Sequence, residues 1–255
     1  MKISIITVCY NSALTICDTF ESVINQTYSD FEYIVIDGNS TDGTVSIIKE
    51  YEQKFNGKMR WISEPDNGLY DAINKGIMLS TGDIVGIIHS DDFYHRNDII
   101  NKIAIAFIEN QDIQAIFGDL RFVKDSMPEK TARYYSSANF NPLKFRFGFM
   151  PAHPTFFVYK MYFDKIGYYK TDYFIAADYE LLIRFLYTHK LKYKYLPYDF
   201  LKMRTGGRST RSIKSTYILN KEIVRGCKEN GIYTNIFILC FKYFIKIFEL
   251  LGKSK

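Results

Sequence analysis

The chain has 255 residues, of which 47% are hydrophobic, 24% charged and 17% aromatic. This globular balance excludes disorder, collagen and coiled coil, and at roughly 150 residues per domain it allows one large domain or two small ones. The formal net charge of +5 conceals a polarity: residues 1–100 hold 7 Lys/Arg against 15 Asp/Glu (7 − 15 = −8), and residues 101–255 hold 26 against 13 (26 − 13 = +13).

Ile3–Cys9 is a continuous β-rich run that reads as a buried strand. It is too short for a secretory h-region followed by a cleavage site, so a cytoplasmic protein is expected. Asn11–Gln26 has Leu14, Cys17, Phe20, Val23 and Ile24 at helical spacing, with Asn11 or Ser12 as N-cap. Phe31–Asp37 is a second strand, and the run from Asp37 to Gly43 is turn chemistry. Helix Thr44–Phe55, strand Met59–Ser63, helix Leu69–Leu79 and strand Ile84–His89 follow. The alternation predicts an α/β fold, a mostly parallel Rossmann-like sheet with helices on both faces. Beyond it a helix is expected over Asn97–Glu109, and short strands over Ile113–Phe117, Leu120–Val123 and Thr131–Tyr135. Next come a helix over Tyr173–His189, strands Tyr193–Leu196 and Phe200–Arg204, a basic Gly-Gly-Arg-Ser loop, and C-terminal helices from Ile213. The predicted division is a domain over 1–215, itself an acidic half (1–100) and a basic half (101–215), with a helical extension over 216–255.

Cys9, Cys17, Cys227 and Cys240 form no C-x-x-C pair, and the four His are scattered, so no structural zinc site is expected. Parallel sheets bind ligands beyond the carboxyl ends of their strands. Three of the first four strands deliver acids there: Asp37, then Glu64 and Asp66, then Asp91 and Asp92. Carboxylates crowded at one rim repel, so a cation or hydrogen-bond donors should accompany them. The Asp91-Asp92 pair after a buried strand suits Mg²⁺ or Mn²⁺ bridged to phosphates.

TVCYN, VIDGNSTDGT, SEPDNGLYDAINKG, TGDIVGIIHSDD and AADYELLIRF, in that order over residues 1–210, together resemble glycosyltransferase family 2 with its GT-A fold, and within it the bacterial enzymes that build capsule, O-antigen and exopolysaccharide. The resemblance implies roles residue by residue. Thr7 and Tyr10 would contact base and ribose. Asp37 would accept from the base, usually uracil, with Asp42 supporting that pocket. Asp66 and Lys75 would flank the nucleotide and diphosphate. Asp92 would bind the divalent cation and Asp91 would face ribose or donor sugar. His89 stands where many members carry Asp or Asn. Asp178 would be the catalytic base, with Glu180 in reserve, because Ala177 replaces the usual Glu; as a helix cap, Asp178 has a structural alternative. His153 would bind or position the acceptor, and Arg204, Arg208 and Arg211 would reach the diphosphate.

The implied activity is inverting, metal-dependent transfer from a nucleotide-diphosphate sugar, UDP favoured, to a polyprenyl-diphosphate-linked glycan. The alternative is a nucleotidyltransferase of similar fold acting on a sugar phosphate, which would want a Gly-rich basic loop after the first strand. Tyr10-Asn11-Ser12-Ala13 supplies no glycine there, which also argues against a dinucleotide-binding oxidoreductase. No nucleic-acid motif accompanies the basic half.

In the tail from Asn235 to Lys253, Lys242, Lys246, Glu249 and Lys253 share one narrow helical stripe and almost all the rest is apolar. It reads as a helix packed on its own domain or lying in a membrane interface, peripheral to the inner face of the plasma membrane. Removing residues 235–255 is expected to release the protein from anionic vesicles in a co-sedimentation assay; unchanged binding would give the charge polarity another cause.

Overall fold

Strand β1 (Ile3–Cys9) pairs in parallel with β2 (Phe31–Asp37) on one side and with β4 (Ile84–Ile87) on the other, and β3 (Met59–Ser63) extends the parallel run beyond β2. The computed structural model describes residues 1–206 and 212–240. Every residue of β1 and β2 is buried, as strands covered on both faces require. Their side chains alternate between two core layers: Ile3, Ile5 and Cys9 enter one, Ile6 and Val8 the other. The first layer is closed by α1 (Ile16–Ile24), α2 (Thr44–Lys54) and α4 (Ile99–Glu109). The second is closed by α3 (Leu69–Leu79), α5 (Met161–Ile166), α6 (Ala177–Ile183) and α7 (Ile213–Glu229).

The parallel run ends at β4. Its far neighbour, β8 (Phe157–Tyr159), is antiparallel, and the Phe157 ring lies across Gly86, where an added Cβ would sit 2.1 Å from it. β6 (Ala115–Lys124) is antiparallel to β8 and to β7 (Met127–Tyr135) and parallel to β9 (Tyr193–Arg204), which carries β5 (Phe93–Tyr94) at the edge. The sheet is therefore mixed, in the order β3-β2-β1-β4-β8-β6-β9-β5 with β7 on β6.

Several boundaries differ from expectation. The helix expected from Asn11 begins at Ile16: Asn11 sits at φ 50°, and its side chain accepts from Thr41 N–H instead of capping a helix. β6 and β9 are each one strand where two short ones were expected, because a bulge at Phe117–Asp119 interrupts the apolar pattern without ending the pairing. The helix expected from Tyr173 begins at Ala177 and widens into a π-helical turn over Arg184–Thr188. Residue 215 falls inside α7, whose Ile223 and Cys227 belong to the same core layer as α6.

Opposite the strands' carboxyl ends, Glu32 closes the bottom of the sheet. It accepts from Ser4 Oγ (2.6 Å), Thr81 N (2.5 Å), Lys2 Nζ (3.1 Å) and Arg60 Nη2 (2.9 Å). Burial pushes this carboxyl up, but the donors outweigh it and hold it at about 2 against an ordinary 4.5. Its stabilisation is therefore present above pH 4.5 and lost as pH falls toward about 2. Glu32→Gln is expected to cost about 2 kcal/mol at neutral pH. In urea titrations at stepped pH the gap to wild type should close on acidification.

Candidate active site

The parallel register brings the strand ends level, with Cys9 opposite Asp37 and Asp37 opposite Ser63. The loops that follow are tied to one another. Asn11 N–H donates to Ser40 Oγ (2.8 Å), Ser12 N–H to Thr44 Oγ1 (2.8 Å) and Ala13 N–H to Asp42 (3.0 Å). The hydroxyls of Ser12 and Ser90 lie 2.8 Å apart and join the β1 loop to the β4 loop. One rim thus gathers Tyr10, Asp37, Asp42, Asp66, Asp91 and Asp92.

What each does there differs. Asp42 accepts from Thr44 Oγ1 (2.5 Å) and from Thr44 and Ala13 N–H groups, and these bonds, the hydroxyl's first, hold its carboxyl below the ordinary range. Asp37 is wholly buried and accepts from Ser40 Oγ and N–H, Ser63 Oγ and Cys9 Sγ, so its acceptor sites face the protein and not a base. Thr7 is likewise corrected: it is fully buried, and its hydroxyl accepts from Tyr33 at 2.7 Å on the core side of β1. Tyr10, 63% exposed, and Asp66 instead meet across Gly38. A Cβ at Gly38 would fall 2.5 Å from Asp66 Oδ2 and 3.4 Å from the Tyr10 ring, so only glycine permits this approach. Asp66 Oδ1 is held by Gly68 N–H at 2.8 Å. Lys75 reaches the same rim, but its ammonium is held by Glu64 at 2.8 Å and by the Pro65 carbonyl at 3.1 Å, and the Glu64 bond raises its pKa.

Asp92 is the exception among these acids. It is fully buried and neither carboxylate oxygen has a hydrogen-bond partner. Burial first, then Asp91, pushes its pKa well above the carboxylate range. An orphaned buried carboxylate beside a second one fits a divalent cation. Among the described residues no three His, Cys, Asp or Glu side chains converge as a complete ligand set. The fit is thus to a hard ion completed by phosphate and water oxygens. Arg204, expected at a diphosphate, is already engaged: its guanidinium donates to the Asp91 carbonyl (2.6 Å), to Asp125 (2.5 Å) and to Asp18. Sequence reasoning missed this clamp, whose partners are far apart in the chain. Arg208 and Arg211 lie outside the described residues, as does the tail beyond residue 240.

A second cluster stands beside the rim on the α3 side. Asp178, in the first turn of α6, accepts from its neighbour's N–H (Tyr179, 2.8 Å), and burial raises its pKa to about 6. It is not the N-cap residue of α6, which is Ala176; it takes one N–H of the first turn, while Glu222 accepts from the N–H groups of Phe174, Ile175 and Ala176 at and just ahead of the helix start. Tyr70 from α3 donates to the Ile175 carbonyl and stacks on Tyr169 with ring centroids 5.9 Å apart. Tyr169 OH lies 2.7 Å from His153 Nε2. His153 is 5% exposed, and burial and the neighbouring His89 hold its imidazole at about 3. It is a neutral internal strut, which corrects the expected acceptor contact. Glu180 is no reserve base: it is wholly buried and paired with Arg184 (3.0 Å) and Lys170 (3.1 Å).

The family model described as Glycosyl transferase family 2 matches residues 4–167. The PGL/p-HBAD biosynthesis glycosyltransferase of Mycobacterium tuberculosis is 28% identical over 181 residues, which is 71% of this chain and 68% of that one. Among solved structures, S. aureus TarS residues 1–349 in complex with UDP-GlcNAc superposes with a TM-score of 0.67 at 21% identity, covering 91% of this chain and 68% of that chain. This chain spans 41% of the longer TarS chain. The mannosyltransferase PcManGT of Pyrobaculum calidifontis, in complex with GDP-Man and Mn²⁺, gives a TM-score of 0.59 at 15% identity over 97% of this chain and 80% of that one. These likenesses establish the GT-A fold.

Asp92→Asn removes the ionisable group at constant volume. In chelator the variant is expected to be more stable than wild type by about 1–3 kcal/mol. Mn²⁺ with a nucleoside diphosphate should raise the wild-type Tm and leave the variant unmoved, as read by differential scanning fluorimetry. A less stable variant would mean that Asp92 is satisfied in the metal-free protein.

Proposed function

The chain belongs to glycosyl transferase family 2 and is a glycosyltransferase, and from that premise we propose that it inverts configuration, uses a divalent cation and moves a sugar from a nucleoside diphosphate, UDP first, to a hydroxyl of a lipid-linked glycan. The observation that carries this is the convergence of Tyr10, Asp66 and the Asp91–Asp92 pair at the carboxyl ends of parallel strands.

In this reading the base and ribose lie against Tyr10, with Asp66 Oδ2 accepting across Gly38. Asp91 faces the ribose or sugar, and Asp92 holds Mg²⁺ or Mn²⁺, which when bound neutralises the diphosphate leaving group. Asp178 takes the proton from the acceptor hydroxyl as that oxygen attacks the anomeric carbon from the face opposite the diphosphate. A carboxyl titrating near 6 is mostly ionised at neutral pH and still basic enough to accept that proton. One displacement then inverts the anomeric centre without a covalent enzyme intermediate.

A lipid-borne acceptor is supported by the surface beside α6. Leu143, Phe147, Tyr233 and Phe237 are exposed there with Arg146, and Thr234 Oγ1 ties the two segments by donating to the Arg146 carbonyl at 2.5 Å. Among the described residues no helix is long and apolar enough to cross a membrane. We assign the acidic half of the chain to the donor and the basic half to an acceptor at an anionic surface, worth about 1 kcal/mol per basic residue.

The test is a panel of UDP-, dTDP- and GDP-sugars with Mn²⁺ and lipid-linked oligosaccharide extract, read by nucleotide release and product mass. Asp178→Asn should retain donor binding by calorimetry and lose about 10²–10⁴-fold in turnover. The wild-type kcat/KM should rise with pH through a limb near 6 that the variant lacks. Near wild-type rate in Asp178→Asn would remove the base assignment, and silence with every nucleotide sugar would remove the proposal.

A further inference from the structure

Helix α7 lies outside the family match and carries no motif, yet three of its side chains grip the segment that leads into Asp178. Glu222, Arg225 and Glu229, spaced 3 and 4 apart, form one stripe. Glu222 accepts from three consecutive backbone N–H groups, those of Phe174 (2.6 Å), Ile175 (2.9 Å) and Ala176 (2.9 Å). Arg225 bonds the Asp172 carbonyl (3.2 Å) and carboxylate, and Glu229 accepts from Lys170 Nζ and Tyr173 OH, both at 2.8 Å. From the opposite side Tyr70, on α3, donates to the Ile175 carbonyl.

The peptide at Ile175 is thus held through its N–H by α7 and through its carbonyl by α3, the helix that follows the Asp66 loop. Three residues later stands Asp178. We infer that Glu222 is a positioning residue for the transfer reaction: by fixing the N–H groups of residues 174–176 it sets where the Asp178 carboxylate stands relative to the donor rim. The inference rests on Asp178 being the base.

A charge-assisted bond to a backbone N–H is shorter and stronger than a neutral one, and three on one carboxylate specify the path of the segment. Ala177 and Asp178 lie in the first turn of α6, whose N–H groups have no intrahelical acceptors, so what holds the segment just ahead of it bears on where that turn starts. The titratable groups around Asp178 are Tyr70 from α3, Tyr169 from the segment after α5 and Glu222 from α7. His153 stands behind Tyr169, and Glu180 on α6 pairs with Arg184 in the π-helical turn that continues it. Glu222 is the one anion in this set, and its charge adds to the upward shift of Asp178.

The test uses the full chain with its donor, acceptor and Mn²⁺. Glu222→Gln should lower kcat by about 10- to 10²-fold with donor KM unchanged, and should move the acidic limb of the pH profile downward. Glu222→Asp keeps the charge on a shorter arm, so kcat should fall with the limb in place. Glu32→Gln, at the opposite end of the sheet, should lower Tm while leaving kcat and the limb unchanged. Wild-type kcat and an unmoved limb in Glu222→Gln would overturn the inference. So would an equal loss of kcat in Glu32→Gln at equal loss of Tm, which would make the Glu222 effect one of stability only. An active Asp178→Asn enzyme would instead strike the base reading itself, whatever Glu222 does.

Discussion

Asp92 carries a carboxylate into the interior with no donor for either oxygen, and the rim around it is arranged to tolerate that. A parallel sheet sends every strand end, and every turn acid, to the same edge. The other acids are neutralised locally, Asp37 by two serines and a thiol, Asp42 by Thr44 and Ala13, Asp66 by Gly68. The same donors knit the loops after β1, β2 and β3 into one surface. Only at Asp91–Asp92 is repulsion left standing, and a folded protein keeps such a cost where a ligand removes it.

The change from parallel to antiparallel pairing at β4 divides the labour. The strands from β3 to β4 build the acidic rim. Beyond β8 the sheet turns to support α6, and the turn at His153–Thr155 sits between β4 and α6. His153, Tyr169 and Tyr70 form a buried polar and aromatic strut linking these parts, so the acid pair and Asp178 are held by one rigid core. Arg204 works similarly on the other flank, drawing α1 and the β6–β7 turn onto the backbone of Asp91.

The first four strands and their helices were legible because each is a dense apolar run closed by turn residues, and burial on both faces leaves little else for such a run to be. The acids of the rim followed from topology. The partners of those acids did not. Thr7 and Asp37 lie within or at the end of predicted strands, but whether a polar group there faces a ligand or the core depends on Tyr33, Ser40 and Ser63. Glu180 looks like a spare base in sequence and proves to be the buried mate of Arg184. The late helix begins at Ala177, later than its periodicity suggested, and the N–H groups just ahead of it are held by Glu222, some 46 to 48 residues away in sequence.

The amino-acid sequence by itself determined the layered α/β core, the edge at which ligands gather and the acids presented there, since hydrophobic period and turn chemistry act over a few residues. The tertiary structure alone decided which acids are satisfied and which is left bare, where Tyr10 and Asp66 meet over Gly38, and what holds Asp178 in place. Those outcomes are set by contacts between groups tens to hundreds of residues apart. Electrostatics and hydrogen bonding act on distance in space, and the fold, not chain order, supplies that distance.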